Sequence, residues 1–239
     1  SIGPPFYHKL ILPFLIPFLF FMAVGPNLKW MRNKIKMVNY QQIGLLIISI
    51  SIAYLIFKYS EEKYPLVSFL IIFSLFLFFQ SLRDFFNKKS SSQKIAHFAF
   101  SIFILSVLFN GIFSKEFSLN MRVGDQVQFL NKSIKFKSLE TSEKFNYQAL
   151  KGKFEITDTN NNTLIFYPEI RIYNQPSVLT SEADIKSNIF TDNYLVFNLL
   201  KDDGYFNVRY QYKPLMLYIW ISIFIMSISG TLKFIRRKK

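Results

Sequence analysis

The sequence changes character between residues 95 and 129, and this change decides the fold. Residues 95–113 read IAHFAFSIFILSVLFNGIF and contain no Asp, Glu, Lys or Arg. As a helix, such a run is long enough to cross about 30 Å of hydrocarbon. Residues 114–129 then read SKEFSLNMRVGDQVQF, in which polar and apolar residues alternate as in half-buried strands. The stretch predicts a membrane helix that leads into a β domain.

Four further apolar runs have the composition of membrane spans. They cover about residues 5–24, 41–57, 65–80 and 214–230 and contain no acidic residue. The runs 41–57 and 65–80 are short, so we expect them to form a tight helical hairpin around residues 58–64. The sequence is 51% hydrophobic and contains 29 Phe, which favours a membrane protein. We predict a polytopic α-helical membrane protein with about five transmembrane helices and an inserted small antiparallel all-β domain.

The runs also predict the domain boundaries. Transmembrane helices 1–4 with short basic cytosolic loops occupy residues 1–113, the β domain residues 114–213, and the last helix with a basic tail residues 214–239. Within the β domain, turn signals such as Gly124-Asp125 separate alternating segments. About seven strands in about 100 residues suggest a sandwich or a barrel.

The net charge of +14 is distributed unevenly along the chain. Residues 114–213 contain 13 Lys and Arg against 12 Asp and Glu, and the rest of the chain contains 16 against 3. The basic excess lies beside the apolar runs, as in the positive-inside distribution. This rule places the loops after the first and third runs and the C-terminal tail in the cytosol, so residues 114–213 face outward. No basic face remains for nucleic acid, which we exclude as a partner.

The start of the sequence resembles the middle of a chain. Residue 1 is Ser, and no signal peptide precedes the first apolar run. We expect the C-terminal piece of a longer membrane protein, whose site is shared with the missing part.

His97 is the candidate functional residue. It is an ionisable side chain inside an apolar run, where such residues are costly and mark functional sites. A neutral imidazole there can ligate a metal such as haem iron, or relay a proton. The alternatives are a histidine hydrogen-bonded to a neighbouring helix, or one near enough to the cytosolic face to reach water. Ser101, one turn later on the same face, is a candidate for supporting the imidazole if His97 is a ligand.

His8, the other histidine, lies near the outer end of the first run and is expected to be an inert interfacial residue. Helical rise separates it from His97 by on the order of 20 Å across the bilayer, so the two cannot bind one iron. If His97 is an axial ligand with a His partner, that partner lies outside this chain.

Other chemistries find little support in the sequence. The absence of Cys excludes a thiol nucleophile, a zinc–thiolate site and a disulfide scaffold. Asp202-Asp203 is expected to be a solvated turn, and Lys151, Lys153 and Arg171 an outward face. Four tyrosines allow either an aromatic docking surface or strand packing, and packing is favoured: Tyr167, Tyr173, Tyr210 and Tyr212.

Several segments, taken in order, resemble the CcmF family, the cytochrome c-type biogenesis or haem lyase subunit of the cytochrome c maturation system. They are residues 3–6, 24–30, 95–99, 146–155, 168–173, 212–214 and 219–220. Each motif is weak alone, but their order covers essentially all 239 residues. The family's second transmembrane His ligand matches His97. The family's tryptophan-rich haem-handling segment, its outward His pair and its other transmembrane His have no match here.

The resemblance implies a function, a cofactor and partners. CcmF takes haem from the carrier CcmE and joins its vinyl groups to the two thiols of apocytochrome c, working with a CcmH-type thioreductase. It holds its own haem b, which implies that His97 is one axial ligand and that quinol is a further candidate partner. The location implied is the bacterial or mitochondrial inner membrane, with the β domain in the periplasm or intermembrane space. This piece alone is expected to be inactive.

Two other classes of function compete with the haem lyase hypothesis. One is a non-catalytic membrane scaffold whose outer β domain docks partner proteins. The other is a transporter module, which is weaker because no second intramembrane charge, broken-helix pair or inverted repeat is evident. His97 lies toward the cytosolic side, so under the first hypothesis electrons have to cover much of the membrane thickness.

Overall fold

The computed structural model describes residues 4–27, 40–59, 65–86, 92–129, 131–200 and 204–237. The chain forms two compact units. One is helical and combines the segments before and after the insertion, and the other is the inserted β domain of residues 114–214. Most of the loops that carry the orientation prediction, and Asp202-Asp203, lie outside the described residues.

Five long helices form where the apolar runs predict them. They are α1 (Pro4–Val24), α2 (Tyr40–Tyr59), α3 (Pro65–Phe86), α4 (Ser92–Phe113) and α5 (Met216–Arg237). Both α2 and α3 are longer than the apolar runs 41–57 and 65–80, because the helices continue through polar residues at their ends. The turn of the expected helical hairpin, residues 60–64, lies outside the described residues. Among the described residues, α2, α3 and α4 are long and apolar enough to cross a membrane.

Helix α3 is the centre of the helical unit. It packs against α1, α2 and α4, and α5 packs against α4. On the side of α1, the ring of Phe20 meets that of Phe73 edge-on, with centroids 5.6 Å apart. Ala53, Ile71 and Leu105 form a second buried cluster between α2, α3 and α4. On α4 and α5 small polar residues such as Ser101 and Ser222 are fully buried, which permits close approach of helices in a membrane.

The β domain is a sandwich of two antiparallel sheets. Its ten strands are β1 (Lys115–Met121), β2 (Gln126–Phe129), β3 (Lys132–Glu143), β4 (Tyr147–Asp158), β5 (Thr163–Phe166), β6 (Glu169–Asn174), β7 (Ser177–Glu182), β8 (Asp184–Ser187), β9 (Thr191–Leu199) and β10 (Phe206–Pro214). One sheet has the order β1-β10-β9-β8, and the other has the order β2-β3-β4-β6-β7 with β5 beside β4.

The alternating sequence explains which face of each strand is buried. Phe154 and Ile156 on β4 and Val208 and Tyr210 on β10 all point into the core between the sheets. Ile172 is an exception, since it is 42% exposed although Ile170, two residues earlier, is buried. The expected seven strands fall short of the observed ten because β2, β5 and β8 have only four residues each, too few for a clear alternation.

A buried chain of hydrogen bonds connects the two sheets. The ammonium of Lys132 on β3 donates to the hydroxyl oxygen of Tyr210 on β10 at 2.7 Å. The Tyr210 hydroxyl in turn donates to Oδ1 of Asn193 on β9 at 2.6 Å. Burial lowers the pKa of Lys132 and raises the pKa of Tyr210 to about 12. Tyr210 is therefore part of the core and not of a docking surface.

Replacing Tyr210 with phenylalanine is expected to lower the free energy of unfolding of the β domain by about 1–3 kcal/mol, because Lys132 and Asn193 lose a buried partner. In the native protein the raised pKa keeps the Tyr210 proton bound where the unfolded chain has lost it. This contribution is complete below about pH 10 and is lost as the pH rises toward about 12. The pKa of Lys132 is lowered instead, so burial of its ammonium destabilises the folded domain at pH values below the pKa of this group in the unfolded chain.

Urea titration of the segment 114–214 at pH 8 and pH 11 measures both effects. The wild type is expected to lose more stability between these pH values than Tyr210→Phe does. Equal losses in the two proteins would show that the hydroxyl of Tyr210 is not the group that titrates.

Candidate functional site

His97 lies near the start of α4, five residues after the first residue of the helix. Its side chain is half-buried and faces the end of α1 and the last turns of α3. The prediction that His97 is an ionisable residue within a membrane helix agrees with this position. A role as a ligand stays a prediction.

Aromatic stacking on the neighbouring residue fixes how α4 is rotated against α3. The ring of Phe98 stacks on that of Phe85 with centroids 5.2 Å apart, and on that of Phe78 with centroids 5.9 Å apart. Successive residues of a helix point about 100° apart. With Phe98 directed onto α3, His97 is turned toward the neighbouring space at the end of α1.

That space is a cavity of about 300 Å³, at the lower end of the volumes typical of ligand sites. The walls come from three helices and from the 3₁₀ turn Gly25–Asn27, which follows α1. The lining residues are Met22, Ala23, Gly25, Pro26, Gln80, Ser81, Asp84, Gln93, Lys94 and His97. The cavity combines an apolar wall from α1 with polar groups from α3 and α4.

Charged and polar side chains surround the imidazole on two helices. The ammonium of Lys94 donates to the backbone carbonyl of Asp84 at 3.2 Å, which ties the start of α4 to the end of α3. The carboxylate of Asp84 pairs with Arg83 at 3.2 Å. Gln80 is 1% exposed, and among the described residues neither Nε2 nor Oε1 of its side chain has a hydrogen-bond partner.

The structure does not bring the other candidates to this cavity. Residue 8 lies in α1, fifteen residues before Ala23, which corresponds to about 22 Å along a helix. Ser101 does not line the cavity, and its hydroxyl donates to the backbone carbonyl of Phe98 at 2.7 Å. Ser101 is therefore not the partner of His97.

The available donor set limits the kind of metal that could bind. Among the described residues there is no group of three or more His, Asp or Glu that could hold an ion. A single imidazole suits a metal whose other ligands come mainly from a macrocycle, as in haem, where the protein supplies axial ligands. The buried amide of Gln80, which has no partner within the ranges that the structure describes, adds polar groups to which a ligand could bond. The residues present fit one side of a haem site.

Comparison with known proteins shows similarity to one family. The family model of the CcmF C-terminal β-sandwich matches residues 112–214. The cytochrome c-type biogenesis protein CcmF of Haemophilus influenzae is 23% identical over 250 residues, which cover 97% of this chain and 38% of that protein. Along nearly its whole length the chain is similar to the C-terminal portion of CcmF proteins. CcmF of Escherichia coli is also 23% identical, over 97% of the chain and 37% of its own length.

A solved structure shares the fold. The cytochrome c haem lyase CcmF superposes with a TM-score of 0.74 at 16% identity, over 95% of this chain and 40% of that one. The CcmF resemblance seen in the sequence is thereby confirmed, as is the fold class of a membrane protein with an inserted antiparallel β domain. The chain spans little more than a third of the length of these relatives.

Sequence reasoning missed the residues that surround His97. The apolar run seen in the sequence ends at Gln80, whereas α3 continues to Phe86, so Gln80 lies within the helix and not at its end. Gln80 and Asp84 are four residues apart and so share one face of α3. That spacing of two polar residues at the end of an apolar run was the available signal.

Proposed function

We propose that the chain is the C-terminal portion of a cytochrome c haem lyase subunit. It would take part in the covalent attachment of haem to apocytochrome c at the outer face of the membrane. The observation that carries the proposal is the position of His97 at a partly polar cavity between membrane helices, in a chain similar to CcmF proteins. The curated relatives are named for cytochrome c biogenesis, and the solved relative is named a haem lyase.

His97 is proposed as one axial ligand of a haem b in the membrane. Haem supplies one-electron redox chemistry when it is bound. The imidazole of His97 would bind the iron, and the stacking of Phe98 on Phe85 would hold the helix that carries it. A second ligand for the iron would come from a part of the protein outside this chain, because His8 lies on the order of 20 Å away along α1.

The attachment reaction itself needs no net oxidation. Each thiol of apocytochrome c adds across one vinyl group of the substrate haem. The S–H bond breaks, a C–S bond forms, and the hydrogen passes to the neighbouring vinyl carbon. A haem b held by His97 would supply the one-electron chemistry that keeps the incoming haem iron reduced, and quinol is the proposed electron donor. The proposed partners are the haem carrier CcmE, a CcmH-type thioreductase and apocytochrome c.

The proposed location is the bacterial or mitochondrial inner membrane, with the β domain in the periplasm or intermembrane space. The excess of basic residues in the loops beside the helices supports this orientation.

Deletion and re-expression of the full-length protein test this function. Cells without it are expected to lose covalent haem on their c-type cytochromes, as measured by haem staining of denaturing gels. The purified protein is expected to show the visible spectrum of a b-type haem. Unchanged covalent haem after deletion would contradict the proposed function.

The scaffold function remains the second candidate, because the β domain exposes large apolar residues. Leu179, Ile189 and Phe190 are 51%, 63% and 64% exposed, as at some protein interaction sites. A pure scaffold would be required for cytochrome c maturation but would be purified without a b-type haem. The spectrum therefore separates the two functions.

A further inference from the structure

The amide of Gln80 is enclosed without a protein partner among the described residues. The side chain is 1% exposed, and both its Nε2 donor and its Oε1 acceptor lack a hydrogen bond. A buried amide left in this state destabilises the folded protein. Gln80 also lines the cavity that contains His97. This position indicates that an acceptor group of a ligand receives the hydrogen bond of the Gln80 Nε2 donor.

The wall of the cavity that α4 forms favours a negatively charged group. Helix α4 begins at Ser92, and Gln93 and Lys94 in its first turn line the cavity. The first turn of a helix carries unpaired N–H groups and a partial positive charge, which attract anions. The ammonium of Lys94 is held at this wall by its bond to the Asp84 carbonyl. The carboxylate of Asp84 also lines the cavity, but Arg83 offsets its charge.

We propose that the cavity beside His97 is a carboxylate-binding site. The Gln80 amide and the Lys94 ammonium donate hydrogen bonds to an acidic group of the same ligand whose metal His97 binds. Lys94 and His97 are three residues apart and lie on one face of α4. Haem has this combination, since it carries two propionate groups on one edge of the ring. The inference rests on the proposed function and adds which edge of the haem faces the start of α4.

Titration of the haem-free full-length protein with haem and with haem dimethyl ester tests the site. The ester has the same iron and ring but no carboxylates. The wild-type protein is expected to bind haem about tenfold more tightly than the ester, as for a hydrogen bond to a charged group. Gln80→Leu and the nearly isosteric Gln80→Glu are expected to reduce the affinity for haem about tenfold while the affinity for the ester stays unchanged.

Ser74→Ala is the matched control. Ser74 lies on the same helix and is fully buried, and in the part of the chain that the structure describes its hydroxyl oxygen also has no hydrogen-bond partner, but it does not line the cavity. We expect this variant to bind both ligands as the wild type does.

The possible outcomes separate this inference from the proposed function. If wild type binds haem and ester equally, or if the Gln80 variants lose both ligands to the same extent, the carboxylate site is overturned while the haem site stands. If His97→Ala retains its haem, the proposed haem site fails and the carboxylate site fails with it. The comparison of the two ligands on wild type needs no variant, so a misfolded variant does not prevent the test.

Discussion

Replacing His97 with alanine is expected to lower the haem bound per mole of full-length protein about tenfold or more. The reason is that loss of an axial ligand removes a bond to the metal, whereas changes of residues around such ligands already cost about 10–100-fold in affinity. The contacts around His97 indicate that the substitution removes the ligand without disturbing the helices. Phe98 keeps its contacts to Phe78 and Phe85, and His97 is only half-buried, so truncating it leaves the packing of α4 on α3 in place.

The visible spectrum of the purified and reduced protein measures this effect. His8→Ala is the matched control, because His8 is the other histidine of the chain and lies near the start of α1, whereas the cavity lies at the end of that helix. It is expected to retain the full haem content. His97→Gly with added imidazole is expected to regain part of the haem, which a purely structural role of His97 would not allow. A haem content in His97→Ala equal to that of the wild type would leave the scaffold function standing.

The position of His97 could be predicted because the signal is local. A single imidazole among apolar residues of a 19-residue run stands out in the sequence alone. The five helices were found for the same reason, since continuous apolar composition does not depend on neighbouring elements. Their ends were less accurate, because Arg83 and Asp84 continue α3 with an ion pair that composition does not reveal.

The cavity could not be predicted because it depends on three helices at once. Gln80, Lys94 and Gly25 are far apart in sequence and meet only when α3, α4 and the end of α1 pack together. The rotation of α4 is set by the stacking of Phe98 on Phe85, and the sequence contains too many phenylalanines to single out this pair. The hydrogen bond between Lys132 and Tyr210 was missed in the same way, because it joins residues of different sheets.

Replacing Phe154 with alanine is expected to have the largest effect on the stability of the β domain. We expect the free energy of unfolding to fall by about 3–5 kcal/mol, as for other large-to-small changes of core aromatic residues. Phe154 is fully buried and pairs across the strands with Phe136, whose ring is stacked on it at a centroid distance of 4.2 Å. The ring of Phe197 from the opposite sheet meets it at 5.7 Å.

A glycine on the same strand leaves space for the ring of Phe154. Gly152 lies two residues before Phe154, and a Cβ atom placed on Gly152 would approach Cε2 of Phe154 to 2.6 Å. The ring thus covers a glycine on its own strand while it contacts both sheets. Truncation to alanine would open a cavity between three rigid groups, and such cavities relax only partly. This is why we expect the loss to exceed the hydrophobic transfer energy of the ring alone.

Urea titration of the segment 114–214 measures the loss, and Phe145→Ala provides the matched control. Phe145 is a phenylalanine of the same domain that lies between β3 and β4 and is fully exposed. Its replacement is expected to change the free energy of unfolding by less than about 0.5 kcal/mol, as for surface positions in general. The two variants remove the same atoms, so the difference between them isolates the contribution of burial between the sheets. Similar small losses in both variants would show that Phe154 does not face a packed core, and the assignment of β4 to the sandwich interior would then be wrong.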